Sequence, residues 1–143
     1  MKKYIKDVLL GLIAFISWGI AFFGLNLVFD KYFPKDPEIT ETSLTDLFSD
    51  RSLMLNILLV LFGSALLTFI FAWFAKPASM RDSLTKSMIW SGIFVVWYVL
   101  IGLMNNTAGE IFISYWFYAV LIFYFAGPLI FAAVKKLPKK DAG

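Results

Sequence analysis

Residues 53–75, LMLNILLVLFGSALLTFIFAWFA, run without a charge between Arg51 and Lys76. A bilayer's hydrocarbon core is about 30 Å thick and takes about 20 apolar residues of helix to cross, so this stretch reads as a transmembrane span. Three more runs share its character: Val8 to Phe29, Met88 to Met104 and Ile111 to Val134. None of them holds Asp, Glu, Lys or Arg. The expected fold is an all-α integral membrane protein, a single membrane domain over residues 1–143. Its spans, at about 8–29, 53–75, 88–104 and 111–134, form an antiparallel four-transmembrane-helix bundle.

Composition agrees. The chain is 60% hydrophobic and 16% charged, against roughly 45–50% and about 25% in soluble domains. The first run follows Lys2 and Lys3 as a secretory signal would, but its apolar segment is longer than the about 7–15 residues of a signal core. No Ala-x-Ala-like cleavage site follows it, so it reads as a retained span. Lys2, Lys3, Lys6, Lys76, Arg81, Lys86, Lys135, Lys136, Lys139 and Lys140 fall on one side of the membrane; only Lys31, Lys35 and Arg51 fall on the other. The positive-inside rule then makes both termini cytoplasmic, with a basic tail at 135–143, in a multi-pass protein of the plasma (inner) membrane. The same cations are expected against anionic inner-leaflet lipids, which accounts for the net charge of +3 without nucleic acid.

The chain has no Cys and no His. Disulfides, thiolate sites, the commonest general base and the commonest metal ligand are thereby excluded. Phosphate-binding glycine loops, zinc-protease motifs and nucleophile settings are also missing, so no catalytic, cofactor-binding or metal-binding residue is assigned. Small multidrug resistance carriers, similar in being short with four spans, rely on a glutamate in the first span. Here no carboxylate stands between Asp7 and Asp30.

Outside the spans, the acidic outer loop 30–52 carries Pro34 and Pro37, then Ser43 to Arg51, which reads as a short amphipathic helix on the membrane surface. Ser79-x-x-Asp82 predicts a cap for the third helix, Asp82 and Lys86 an i,i+4 pair, and Thr107-x-x-Glu110 a capping box for the fourth. The short 105–110 connection makes the last two spans a hairpin. Asp30, Asp50 and Glu110 share the outer boundary as candidate carboxylates for a cation or substrate.

Within the bilayer, Asn26 and Asn56 lie at equal depth and are candidates for an interhelix polar contact. Ala14, Ser17, Ala21 and Gly24 form a stripe of small residues on the first span, and Ala119, Ala126 and Ala133 another on the fourth. Such stripes either pack the monomer or hold another subunit. Gly127-Pro128 is a candidate hinge, because proline removes the donor for the Tyr124 carbonyl. Trp18, Trp97, Tyr98 and Tyr124 are candidates for a mid-bilayer aromatic pocket. These features point to a non-catalytic accessory, assembly or regulatory subunit of a larger membrane complex. The alternative is a small homo-oligomeric transporter or channel, or a lipophilic-ligand-binding protein.

Overall fold

The computed structural model describes residues 2–32 and 51–139. Within them the chain forms α1 (Lys2–Tyr32), α2 (Arg51–Ala75), α3 (Met80–Met104), α4 (Ala108–Ile113) and α5 (Tyr115–Val134). α1, α2, α3 and α5 are each long and apolar enough to cross a membrane, which makes the protein an all-helical, multi-pass membrane protein. The amphipathic segment expected at 43–51 falls almost wholly outside the described residues, as does Asp50.

Local sequence explains where the helices stop. Lys76 takes φ 45° and donates its N–H to Ala72 O at 2.9 Å, and Pro77 follows, unable to continue the turn. Ser79 then caps α3, its hydroxyl accepting from Asp82 N at 3.1 Å while Asp82 Oδ2 accepts from Ala78 N at 3.0 Å. The far end of α3 closes in a Schellman motif, with Asn106 at φ 55° and Thr107 N donating to Gly102 O at 2.8 Å. α5 ends the same way, with Lys136 at φ 50° and Leu137 N donating to Ala132 O at 3.0 Å.

Two elements differ from their sequence reading. Thr107 makes no side-chain capping bond. The expected fourth span is broken near its start: Ser114 adopts φ −69°, ψ 122° between α4 and α5, and the Tyr118 hydroxyl donates to the Phe112 carbonyl at 2.8 Å across the break. α5 alone keeps 20 residues, about 30 Å of helix, so the crossing survives without α4.

The spans close into a ring in the order α1, α2, α5, α3. α3 and α5 pack together as the short connection requires. α2 and α5 pack tightly at Gly127, where an added Cβ would collide with Thr68 Oγ1 and lie 2.7 Å from Phe69 N. Gly127 and Pro128 are both buried, so the candidate hinge is pinned against its neighbour. Gly11 does the same for α1 and α3, its Cα facing the Trp90 and Ile93 side chains. Gly127→Ala is expected to destabilise the fold by about 1–3 kcal/mol, the usual cost of overpacking. Gly92→Ala, with open space above it, should be near neutral; thermal unfolding of the two variants in one detergent checks the contrast.

Candidate functional site

The most polar part of the interior lies where α1 meets α3, near the end of the bundle that carries Lys6 and the α2–α3 turn. One turn separates Asp82 from Lys86 and another separates Lys86 from Trp90, so helical spacing sets the three on one face of α3. Lys86 Nζ lies 3.0 Å from Asp82 Oδ1 and 3.3 Å from Asp7 Oδ1, with Asp7 Oδ2 at 3.4 Å. Its side chain is 2% exposed, and those of Asp7 and Asp82 are 4% and 5%. Trp90, fully buried, donates its indole N–H to the Asp7 carbonyl at 2.9 Å.

Sequence reading places Lys86 and Asp7 at span boundaries, with Lys86 among the cations facing lipid headgroups. The structure corrects this: α3, capped at Ser79 as expected, packs on α1 so that Lys86 lies in the interior beside Asp7. The expected Asp82–Lys86 pair does form. An isolated ion moved into such surroundings loses several kcal/mol of hydration, so each charge depends on the others for compensation. Chemically this is an electrostatic bolt between α1 and α3. Ser83, Ser87 and Ser91 continue from it along α3 at four-residue spacing, buried and with no hydrogen-bond partner for their hydroxyls among the described residues.

Deeper in, Phe94 is the hub of the core. Trp18 packs against its ring at 5.2 Å between centroids, Tyr98 at 4.7 Å and Tyr124 at 5.2 Å. Three of the four candidate pocket residues thus converge on a phenyl ring that fills the space between them. The fourth, Trp97, stays 48% exposed beside Phe15. Trp18 also donates to Ser64 Oγ at 2.8 Å, and that hydroxyl donates to Val60 O at 2.6 Å. Tyr98 and Phe94 help to line a separate cavity of about 190 Å³ beside α4, together with Ser114 and Trp116.

At the opposite end, Asn56 Nδ2 donates to Asn26 Oδ1 at 3.1 Å. Asp30 and Glu110 are both exposed. Among the described residues no three acidic side chains gather to hold a metal ion. The small-residue stripe of α1 divides in two. Ala14 is buried within the bundle, whereas Ala21 is exposed and a Cβ placed on Gly24 would meet nothing within 4 Å. Beside it, Ala21, Phe22, Gly63, Leu67 and Ile70 help to line an apolar groove of about 470 Å³ between α1 and α2.

Comparison with known proteins adds no relative: no family model matches the chain, and no curated protein or solved structure matches it.

The bolt predicts a non-additive mutational series. Lys86→Met alone removes the buried ammonium that Asp7 and Asp82 both face and is expected to destabilise by about 3–5 kcal/mol. The triple variant Asp7→Asn, Lys86→Met, Asp82→Asn should recover much of that loss, as read by thermal unfolding in detergent. If the single and triple variants unfold alike, the three charges are not coupled.

Proposed function

We propose that this protein is a non-catalytic accessory, assembly or regulatory subunit of a larger complex in the plasma membrane, with both termini in the cytoplasm. The observation that carries this reading is the uncovered half of the α1 stripe. Small residues let helix backbones approach closely, and in lipid such approach replaces the hydrophobic drive for association. Ala14 uses that property inside the bundle. Ala21 and Gly24 present the same property outward, beside the α1–α2 groove. A transmembrane helix of another subunit fits this face, gaining backbone contact on the small residues.

The orientation rests on the ten-to-three distribution of Lys and Arg between the two sides. Mild extraction from the native membrane followed by native mass spectrometry tests the assignment. The expected result is a foreign subunit at fixed stoichiometry that Gly24→Leu releases while the variant still accumulates in the membrane. A wild-type chain found only as a monomer or closed homo-oligomer under the gentlest extraction sinks the accessory-subunit reading.

A further inference from the structure

Two helix ends place lysine where glycine is the usual choice. Lys76 after α2 and Lys136 after α5 have φ of 45° and 50°, the left-handed region that disfavours any residue bearing a Cβ. The macrodipole favours a cation near each helix C-terminus, but it does not require the cation at the left-handed position itself. Both lysines are exposed, as is Lys135.

The packing of α2 on α5 brings these ends side by side. Phe131 sits 5.5 Å from Phe69 and 6.2 Å from Trp73 between ring centroids. One turn further on, Lys135 Nζ stands 4.4 Å from the centre of the Trp73 ring. That contact holds the ammonium group in place by attraction to the face of the indole. Trp73 is itself 54% exposed. Lys135 thus stands over an outward-facing tryptophan, and the exposed Lys76 and Lys136 end the same two packed helices beside it, making one cationic corner of the bundle. Among the described residues none of the three has a carboxylate within ion-pair distance. Asp7 and Asp82 are buried and face Lys86, Asp82 also accepting from the Ala78 amide.

Depth decides what such a corner meets. α2 and α5 are uncharged from Leu53 to Ala75 and from Tyr115 to Val134, so their charged ends emerge at the headgroup layer. There a tryptophan has its apolar body in the acyl boundary and its N–H among polar groups. We propose that this corner is a specific site for the phosphodiester headgroup of an anionic phospholipid. The three ammonium groups face the phosphate oxygens, and Trp73 lies along the upper part of the lipid. The site is separate from the α1–α2 face and does not depend on the partner reading.

Native mass spectrometry of the full chain tests it, using phosphatidylglycerol and phosphatidylcholine of matched acyl length at equal concentration. The wild type should hold one phosphatidylglycerol in preference to phosphatidylcholine. K76Q/K135Q should lower that preference roughly tenfold or more. R81Q/K139Q removes the same charge from two other exposed residues at the same end and should leave the preference in place. Equal loss in both double variants, or no preference in the wild type, overturns the proposal in favour of diffuse surface charge. Displacement of the lipid by millimolar inorganic phosphate would also overturn it, by assigning the corner to a free anion.

Discussion

Lipid tails are as apolar as leucine, so the helices of this protein gain almost nothing from hiding apolar side chains against one another. Every seam of the ring therefore needs something that lipid does not offer. α1 and α3 are joined by a charge cluster and an indole-to-carbonyl bond. α1 and α2 share the Trp18–Ser64 and Asn56–Asn26 bonds. α2 and α5 meet through a glycine whose missing side chain brings backbone onto backbone. α3 and α5 interlock through the rings of Phe94, Phe117 and Tyr124. Polar contact and close approach do the work that hydrophobic burial performs in water.

The same constraint separates what the sequence makes legible from what it hides. Uncharged runs of about 20 residues are visible without any partner, and the four crossings follow from them. The Asn26–Asn56 bond follows from counting residues inward from a shared boundary. Lys86 is different, because a lysine two residues before an apolar run looks like an interfacial anchor. Its true surroundings depend on Asp7, 79 residues away, and the only local hint is the turn-by-turn spacing of Asp82, Lys86 and Trp90. Phe94 is one of 16 phenylalanines, and nothing in its neighbours marks it as a hub. The break at Ser114 is hidden by an apolar run on both sides and has neither Pro nor Gly at the break to announce it.

The placement of polar and small groups also divides the molecule by role. Aromatic rings pack its centre, with Phe94 standing where three candidate pocket residues meet. At the periphery stand the open edge of α1 at Gly24 and the lysine corner of α2 and α5. Under the readings proposed above, a neighbouring helix or a lipid meets the bundle sideways, at these outer faces.

The bond from Met80 N to Pro138 O, at 2.8 Å, bears on the order of assembly. It ties the start of α3 to the segment that follows α5, so this backbone donor finds its partner only after α5 has crossed. During synthesis α1, α2 and α3 are made first and can engage through their own contacts. The ring then remains open at α3 until α5 arrives and the 135–139 segment folds back across the helix ends. The turn after α5 thus acts as a latch, making closure of the bundle a late event in the life of the chain.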